Sequence, residues 1–575
     1  MSTYLTAQSL TLSYTSNPLF KALTFTLNRG DKIGLIGHNG CGKSSLLKLL
    51  NGQYEPTEGH IAKATHCLMS YVEQHVPEHL YSQSIREALA ENLSVDDDWR
   101  AELVLAELGF SDSEQDMPVA NCSGGQQMRL LIARAIINQP DLLLLDEPSN
   151  HLDLPSLLWL EQFLSNWKGS FVLVSHDKTL LDRVTNTTWV MRDQSLHHFA
   201  LPCTQARAAL CEKDRQDQAR HANEQKEIDR IEKSAKRLAT WGKVYDNEDL
   251  ARKAKTMFAR KERLEEAQTE LTEGTPWQLV LQGEALPANR LLETGEFSVT
   301  PPDSHFHLFN MVEIRVKSGD RIAVLGSNGC GKSTLLNQLY RHYLTEINPM
   351  GSQAVTFHDR CRLGYYDQSL KQLKDADTIS DALQAFSSVS SEIAKRSLIG
   401  AGFEYTRHNQ DVASLSGGER ARLLFIGLTL AKYHLLFLDE PTNHLDMEGK
   451  EELITTLNEF NGAALIVSHD RSLIEQSCNR FWLINNGTLT EYLSADEVYQ
   501  QIAEHPDTAL AVQAPDNQQE LNPFGGKLTG EEQLLERLIE LETLLEEDLQ
   551  RKPKHQKPNL QQNWREEIER ISSQL

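Results

Sequence analysis

One stretch of sequence occurs twice in this chain, and this repeat constrains the fold more than any other feature. The copies run from Cys122 to Asp153, CSGGQQMRLLIARAIINQPDLLLLDEPSNHLD, and from Leu415 to Asp446, LSGGERARLLFIGLTLAKYHLLFLDEPTNHLD. They align without a gap at an offset of 293 residues (415 − 122). Each contains a Ser-Gly-Gly turn, an amphipathic helix pattern, an apolar strand pattern and an Asp-Glu pair. The repeat predicts one catalytic unit that is built twice.

Length and composition indicate a multidomain protein and argue against several other classes of protein. The 575 residues are too many for one hydrophobic core and predict two or three domains. No apolar run approaches the roughly 18 residues of a membrane helix, and we find no signal segment, so we expect a cytoplasmic protein. The eight cysteines form no CxxC pair, which argues against a zinc site or a disulfide framework. A formal charge of −24 argues against indiscriminate nucleic-acid binding by the whole surface.

A glycine-rich loop precedes the first copy of the repeat. It has the pattern GxxxxGK[ST] and lies between an apolar strand pattern, IGLI, and a helical pattern, SSLLKLL. Glycines in this context let backbone N–H groups approach phosphate oxygens at a helix N-terminus. Lys43 is placed to reach the β- and γ-phosphates, and Ser44 to ligate Mg²⁺. The predicted phosphate-binding residues are Gly37, His38, Asn39, Gly40, Cys41, Gly42, Lys43, Ser44 and Ser45.

An acid pair follows an apolar strand pattern inside the first copy of the repeat. Four leucines before Asp146 and Glu147 predict a strand buried on both faces of a parallel sheet. Such a strand delivers both acids to the ligand edge of the sheet. We expect Asp146 to hold Mg²⁺ and Glu147 to orient or deprotonate a water molecule. His176 ends another strand pattern, FVLVSH, and is a candidate γ-phosphate contact, although a lone histidine is more often structural.

Two other residues near these motifs carry weaker signals. Gln74 follows the strand pattern MSYVE, where a lone glutamine is most often a polar strand cap. Tyr14, ahead of the glycine-rich loop, either stacks on adenine or is a half-buried strand tyrosine.

The same motifs recur in the same order in the second half of the chain. Asp146 precedes His176 by 30 residues, and Asp439 precedes His469 by 30 residues. The region before the second glycine-rich loop lacks a clear adenine-stacking aromatic, and Phe297 is a weak candidate. The second predicted set comprises Gly326, Ser327, Asn328, Gly329, Cys330, Gly331, Lys332, Ser333, Thr334, Gln368, Ser416, Gly417, Gly418, Glu419, Asp439, Glu440 and His469.

This set of motifs resembles the ATP-binding cassette superfamily, in which P-loop, Gln loop, signature, catalytic acids and switch histidine recur in this order. Cys122 is a departure, because leucine is usual there in the signature. The resemblance implies an α/β fold with two tandem P-loop NTPase domains that close head to tail around two ATP molecules. It implies Ser44, Gln74, Asp146, Ser333, Gln368 and Asp439 as Mg²⁺ ligands. Each P-loop would meet the signature of the other cassette, Ser123, Gly124, Gly125 and Gln126 or Ser416, Gly417, Gly418 and Glu419.

The segment between the cassettes has a charge opposite to that of the chain as a whole. Helical patterns over 205–239 and 250–272 flank a turn at 242–249, and they predict an antiparallel hairpin with arms of about 35–50 Å. Residues 233–263 contain ten bases and four acids, a net charge of +6, and Trp241 and Tyr245 lie at the turn. A solvated spacer is one interpretation. A contact with nucleic acid is the other, because phosphate neutralisation and stacking need these groups.

Two cassettes, no membrane segment and a basic helical linker together resemble the ABC-F family of translation factors, as do DEPSNHLD and DEPTNHLD. That family implies an ATPase that binds the ribosomal E site in its ATP-closed form, contacts rRNA, and reaches P-site tRNA through its linker. Some members protect ribosomes against antibiotics. A DNA-associated ABC ATPase in repair or recombination remains an alternative, as does the ATPase subunit of a transporter. The resemblance favours a monomer with an intramolecular cassette dimer and no transmembrane subunit.

The predicted organisation has five parts. They are a first ABC ATPase domain (1–203), a helical hairpin linker (204–274), a second ABC ATPase domain (275–504), a flexible linker (505–528) and a C-terminal helical coiled-coil hairpin (529–575). Leucines at helical spacing from Leu534 to Leu549 indicate the last part. Gln74 precedes Ser123 by 49 residues and Gln368 precedes Ser416 by 48, so we expect no extended arm in the first cassette.

Overall fold

The structure is a computed structural model, and it describes most of the chain up to residue 504. The described residues are 2–14, 18–91, 93, 98–150, 152–244, 248–266, 268, 281, 283–287, 290–301, 306–346, 355–384, 386, 390–443 and 445–504. The predicted linker at 505–528, the predicted coiled coil at 529–575 and Tyr245 lie outside the described residues. Those predictions therefore stay predictions.

The first cassette has nine strands and seven α-helices among the described residues. The strands are β1 (Thr3–Ser13), β2 (Pro18–Asn28), β3 (Lys32–Gly37), β4 (Glu58–Lys63), β5 (Met69–Val72), β6 (Leu142–Asp146), β7 (Ser170–Val174), β8 (Thr187–Arg192) and β9 (Ser195–Phe199). The helices are α1 (Lys43–Leu50), α2 (Ile85–Ala90), α3 (Asp98–Glu107), α4 (Asp112–Gln115), α5 (Gly124–Ile136), α6 (Leu154–Asn166) and α7 (Lys178–Val184).

The central sheet of the first cassette places the predicted motifs at one edge. Its strand order is β5-β6-β7-β3-β8-β9, and β5, β6, β7, β3 and β8 run parallel. Every residue of β6 and β7 is buried, as the apolar sequences LLLLD and SFVLV predict for strands covered on both faces. Because parallel strands end at the same edge, the loops after β3, β5, β6 and β7 meet there. A separate antiparallel sheet, β2-β1-β4, packs on this core.

Two long helices follow the first cassette, α8 (Cys203–Val244) and α9 (Glu248–Glu266). They lie antiparallel, since Lys261 pairs with Glu232 and Gln268, just beyond α9, donates to Gln225 further back on α8. The predicted arm lengths were wrong: at 1.5 Å per residue, the 42 residues of α8 span about 63 Å and the 19 of α9 about 28 Å. α8 is longer because it begins on the cassette core, where Cys203 is fully buried, and because Gly242 does not end it.

The second cassette repeats this architecture. Its strands are β10 (Leu292–Thr294), β11 (Phe297–Val299), β12 (Phe309–Met311), β13 (Ile314–Val316), β14 (Arg321–Leu325), β15 (Val355–Phe357), β16 (Leu363–Tyr366), β17 (Leu435–Asp439), β18 (Ala463–Val467), β19 (Arg480–Asn485) and β20 (Thr488–Tyr492). Its helices are α10 (Lys332–Glu346), α11 (Ile379–Gln384), α12 (Ser391–Gly400), α13 (Gly417–Ala431), α14 (Met447–Glu459), α15 (Arg471–Ser477) and α16 (Ala495–Glu504).

The second central sheet has the order β11-β12-β20-β19-β14-β18-β17-β16. Its segment β16-β17-β18-β14-β19 is parallel and matches β5-β6-β7-β3-β8 of the first cassette strand for strand. The helix α12 likewise corresponds to α3 at the offset of the repeat. The α/β fold with two tandem cassettes is therefore confirmed. Within the described part of the chain, no helix combines the length and the apolar character that a membrane crossing requires.

Candidate active sites

Both glycine-rich loops have the backbone geometry of a phosphate loop. α1 begins at Lys43 and α10 at Lys332, and the preceding glycines have left-handed backbones, with φ 102° at Gly42 and φ 105° at Gly331. A Cβ at either glycine would lie 2.8 Å from a leucine side chain. Because only glycine tolerates both the φ value and the close approach, the loop can wrap tightly around an anion at the helix N-terminus.

The two P-loop lysines are buried beneath these loops. The Lys43 ammonium donates to the carbonyl oxygens of Gly37 and His38, at 2.8 and 3.0 Å. Lys332 makes the two equivalent hydrogen bonds, both at 2.9 Å. An ammonium has three N–H groups, so each lysine keeps one for a further acceptor. A buried cation with a spare donor beside a ring of backbone N–H groups fits a nucleotide phosphate.

Each P-loop serine is bonded to the aspartate at the end of the neighbouring buried strand. Ser44 Oγ donates to Asp146 Oδ1 over 3.0 Å, and Ser333 Oγ donates to Asp439 Oδ1 over 2.9 Å. Burial raises the pKa of Asp146, against the hydrogen bonds from Ser44 and Tyr71, and raises the pKa of Asp439 to about 6. A hydroxyl and a carboxylate held together form a hard oxygen set, which is the chemistry that Mg²⁺ prefers.

The glutamate after each aspartate has an unusual backbone. Glu147 and Glu440 both have φ 50°, in the left-handed region that is rare for residues other than glycine and that concentrates at functional sites. Their N–H groups donate to Val174 and Val467 on the adjacent strands, at 3.0 and 2.9 Å. These bonds hold both glutamates in one conformation. The sequence contains no signal for this conformation.

The predicted switch histidines lie beside these glutamates. His176 Nε2 is 3.4 Å from Glu147 Oε1, and His469 Nε2 is 3.5 Å from Glu440 Oε1. Burial lowers the pKa of both imidazoles, that of His469 to about 3. Both rings are therefore neutral near pH 7. The structure thus brings together the predicted P-loop serine, Asp-Glu pair and histidine in each cassette.

The two glutamates differ in their surroundings. Burial raises the pKa of Glu147, but the adjacent His176 and a hydrogen bond of 2.5 Å from the Asn150 amide outweigh this effect, and the pKa falls to about 2. Burial dominates at Glu440, where neighbouring Asp439 acts in the same direction and Lys332 against it, and the pKa rises to about 8. The same residue type at equivalent positions is therefore ionised in one cassette and largely protonated in the other near pH 7.

The two predicted glutamines and the two candidate adenine-stacking aromatics differ in exposure and in their contacts. Gln74 and Gln368 are exposed beyond the ends of β5 and β16. The Tyr14 hydroxyl lies 3.4 Å from Ser45 Oγ, and the Tyr14 ring packs edge-on against Tyr54 with 6.2 Å between the centroids. The residue is nevertheless 61% exposed beside the first P-loop. Phe297 packs edge-on against His342, with 6.4 Å between the ring centroids.

The Ser-Gly-Gly turns begin two helices in the same way. Ser123 caps α5 and Ser416 caps α13, and each serine forms a capping box with the third residue of its helix, Gln126 or Glu419. Both serines are exposed to solvent. Their pairing with the opposite P-loop stays a prediction.

Each P-loop contacts the aspartate that ends the opposite copy of the repeat. The Asn328 N–H donates to Asp153 Oδ2 over 3.0 Å, and His38 Nδ1 lies 3.4 Å from Asp446 Oδ2. A hydrogen bond to Asp446 raises the pKa of His38, whose side chain therefore faces the other cassette and leaves its backbone N–H for a phosphate. Neither aspartate was among the predicted site residues. Their signal was the position at the end of NHLD in both copies.

A cavity of about 550 Å³ lies between the cassettes and joins residues of both sites. From the first cassette its lining includes Asn39, Glu147, Leu157, His176 and Asp177. From the second its lining includes Asn328, Gly329, Gly331, Lys332, Ser333, Thr334, Gln368, Glu440, Lys450, His469 and Asp470. The catalytic residues of the two cassettes thus face a common space.

Ion pairs across this interface hold the cassettes together. Arg471 of α15 pairs with Glu161 of α6 at 2.7 Å, and Lys178 of α7 lies 3.5 Å from Glu451 of α14. Arg207 near the start of α8 forms a two-pronged pair with the same Glu451. The base of the helical hairpin is therefore bonded directly to the second cassette.

Comparisons with known proteins agree with this geometry. The protein-family model described as "ABC transporter" matches residues 20–150 and 309–443. The chain is 30% identical over 528 residues to the "Probable ATP-binding protein YheS" of Haemophilus influenzae, covering 86% of this chain and 81% of that protein. It is 32% identical over 569 residues to "ABC transporter F family member 4" of Arabidopsis thaliana, covering 86% and 76%.

The chain belongs to the ABC-F family. Membership identifies both cassettes as nucleotide-binding ATPase domains. An archaeal ribosome recycling factor, aABCE1, solved in complex with the ribosomal stalk protein aP1, has the same fold, with a TM-score of 0.58, 17% identity, and coverage of 87% of this chain and 94% of that one. A model of ribosome-bound archaeal Pelota and ABCE1 gives a TM-score of 0.54 at 17% identity, covering 86% and 80%. At this identity the likeness concerns the fold alone.

Proposed function

We propose that this ABC-F protein binds the ribosomal E site in its ATP-closed state, reaches P-site tRNA with its hairpin, and leaves after hydrolysis. The observation that carries the proposal is that α8 is bonded to both cassettes. Its Asp214 accepts from Arg192 of the first cassette, and its Arg207 donates to Glu451 of the second. These bonds link a basic helical arm to the nucleotide-binding domains. The protein would act as a cytoplasmic monomer whose two cassettes pair within the chain. The domain boundaries given above are proposed with it.

The proposed chemistry uses two composite sites. In the first, Lys43 and the P-loop backbone hold the phosphates, Glu147 orients the attacking water, and His176 contacts the γ-phosphate. Lys332, Glu440 and His469 do the same in the second. Closure would bring Ser416 to the first nucleotide and Ser123 to the second. The shared cavity and the cross-cassette contacts of Asp153 and Asp446 support this arrangement.

Mg²⁺ fits both sites. The bonded pairs Ser44–Asp146 and Ser333–Asp439 offer oxygen atoms at the end of a buried strand. We propose these four residues as its ligands, with Gln74 and Gln368 joining when nucleotide is bound. When bound there, Mg²⁺ would neutralise phosphate charge during the transfer.

The hairpin surface supports a polyanionic partner. Among the described residues of 233–263 the exposed bases are Lys233, Lys236, Arg237, Lys243, Arg252, Lys253, Lys255, Arg260 and Arg263. Some of these serve the hairpin itself, because Arg260 pairs with Glu227 and Lys236 with Glu232. The Arg237 guanidinium lies over the Trp241 ring, 5.4 Å from its centroid, in an exposed stack that a base can extend.

The partner is proposed from family membership and from fold relatives. Two structural neighbours are an archaeal ribosome recycling factor in complex with a ribosomal stalk protein and a ribosome-bound Pelota–ABCE1 complex. With an overall charge of −24, the protein has no general attraction to RNA, so a local basic arm has to supply it.

Sedimentation tests the partner. A Glu147→Gln/Glu440→Gln variant retains ATP, and we expect it to co-migrate with ribosomes in ATP and to separate from them in ADP. Retention on branched DNA without ribosome binding would overturn the proposal in favour of a repair or recombination ATPase. Recovery with a transmembrane complex from solubilised membranes would favour a transporter subunit.

A charge variant tests the hairpin. Arg252→Gln/Lys253→Gln/Lys255→Gln removes three exposed bases, and we expect weaker ribosome binding with basal ATPase activity retained. The matched control, Lys21→Gln/Lys63→Gln/Lys317→Gln, removes three exposed lysines from the cassettes and should leave binding unchanged. Equal loss of binding in both variants would show that the hairpin is not the contact.

A further inference from the structure

One lysine lies between the two switch loops, the segments that carry His176 and His469. Lys450, on the first turn of α14, has its ammonium 2.8 Å from Asp470 Oδ2, and it donates to the carbonyl oxygen of His176 over 3.4 Å. Asp470 follows His469 in its own cassette, whereas His176 belongs to the other cassette. The side chain is largely buried, with 17% exposed. It therefore touches both switch loops from one position.

The residues around this ammonium are acidic. Asp177 and Asp470 directly follow the two histidines, and each caps the helix after it, accepting from Leu180 at 2.9 Å and from Leu473 at 3.0 Å. Burial raises the pKa of Asp177, and the charge of Asp470 raises it further. Two largely buried carboxyl groups from opposite cassettes thus oppose each other. Without a cation between them, their repulsion would separate the switch loops.

Two other described cations at this interface have glutamate partners, although the charge of Arg471 also acts on Asp177. Arg471 pairs with Glu161, and Lys178 pairs with Glu451. The position equivalent to Lys450 in the first cassette is Leu157, at the offset of the repeat, and it lines the same cavity. Lys450 therefore contacts both switch loops directly, and the first cassette has a leucine at the equivalent position.

We propose that Lys450 is a positioning residue that couples the two switch loops, so that nucleotide at one site changes turnover at the other. One switch loop supplies Asp470 and the other supplies the His176 carbonyl oxygen, and both accept from the Lys450 ammonium. Lys450 can therefore keep both contacts only when the two loops move together. This inference rests on the proposed two-site ATPase.

ATP titration of steady-state hydrolysis by the full-length protein tests the coupling. For the wild type we expect a Hill coefficient between about one and two, the limit for two sites. Lys450→Met removes the ammonium and keeps the length of the side chain, and its coefficient should fall to about one with a higher KM. Lys450→Arg keeps a cation and should retain the wild-type coefficient.

An exchange variant controls for a structural effect. Leu157→Lys/Lys450→Leu moves the ammonium to the equivalent position of the other cassette, which lines the same cavity as Asp177 and Asp470, and it should restore a coefficient above one. If Lys450→Met fails to fold, Asp177→Asn/Lys450→Met removes one opposing charge while asparagine still caps α7, and it should show the same loss of cooperativity.

The outcomes separate this inference from the proposed function. A wild-type coefficient retained by Lys450→Met, or a wild type without cooperativity, would overturn the coupling and leave the ATPase proposal intact. A wild type without ATP turnover, or turnover unaffected by Glu147→Gln/Glu440→Gln, would instead overturn the ATPase proposal. An exchange variant that folds and hydrolyses ATP without cooperativity would also count against the role of Lys450.

Discussion

The two cassettes share one framework but differ at their catalytic sites. Both have the same parallel strand order, the same left-handed glutamate at φ 50°, and Ser–Asp bonds of 3.0 and 2.9 Å. The side chains around that framework differ. Asn150 donates to Glu147, whereas burial dominates at Glu440, and Leu157 stands where the second cassette has Lys450. The comparison teaches that the repeated backbone determines where the catalytic groups lie. The side chains next to Glu147 and Glu440 determine whether each glutamate is protonated.

The largest expected effect comes from removing both catalytic glutamates. Glu147→Gln/Glu440→Gln should lower ATP turnover roughly 100- to 10,000-fold, the usual contribution of a general base. Each single variant keeps one site and should retain a different part of the wild-type rate. A phosphate-release assay measures all three. Glu497→Gln, an exposed change on α16, is the control, and equal residual rates in the two single variants would contradict the asymmetry.

The pH dependence of the single variants should separate the two sites. In Glu147→Gln the working base is Glu440, whose pKa burial raises to about 8. A carboxyl is a base only when ionised, so this rate should rise as pH increases through 8, and at pH 7 about a tenth of the sites are active. In Glu440→Gln the base is Glu147, with a pKa near 2, so the rate should be flat from about pH 6 to 9. The same pH dependence in both single variants would contradict the difference in pKa between Glu147 and Glu440.

The sequence predicted the framework but not these differences. Motif order and the apolar patterns of β6 and β7 were enough to place Ser44, Asp146 and His176 together, because parallel strands end at one edge. The φ value of Glu147 and the contact between Asn328 and Asp153 could not be predicted, since both depend on packing between segments far apart in the chain. The hairpin lengths were wrong because helix ends depend on tertiary contacts that propensity does not contain.

Nucleotide affinity should show a smaller difference between the sites. Tyr14→Ala should weaken ATP binding to the first site by about 1 kcal/mol, roughly fivefold, if the exposed ring stacks on adenine. Phe297→Ala should have less effect, because Phe297 is half-buried whereas 61% of Tyr14 is exposed. Calorimetry on the Glu147→Gln/Glu440→Gln background measures both affinities. Tyr14→Phe keeps the ring and should bind as the wild type does; equal weakening by Tyr14→Ala and Phe297→Ala would contradict the difference.

The smallest expected effect concerns α5 and α13, the helices that begin at the two Ser-Gly-Gly turns. Glu114 accepts from the Gln126 amide at 2.7 Å in the first cassette, and at the equivalent positions Arg407 pairs with Glu419 at 2.8 Å. Gln126→Glu would set two carboxylates against each other. We expect a loss of about 0.5–1 kcal/mol in the free energy of unfolding, because the Glu114 side chain is partly exposed and solvent screens its repulsion with the buried residue 126.

A second substitution, at Glu114, tests whether the destabilisation by Gln126→Glu comes from the repulsion between the two carboxylates. Glu114→Arg/Gln126→Glu converts the first pair into the second, and it should restore the free energy of unfolding to within about 0.5 kcal/mol of the wild type. Denaturant unfolding followed by a probe in the first cassette measures both variants. If the double variant is as unstable as Gln126→Glu, the two pairs are not interchangeable. The difference between the cassettes would then extend from the catalytic side chains to the packing of the signature helices.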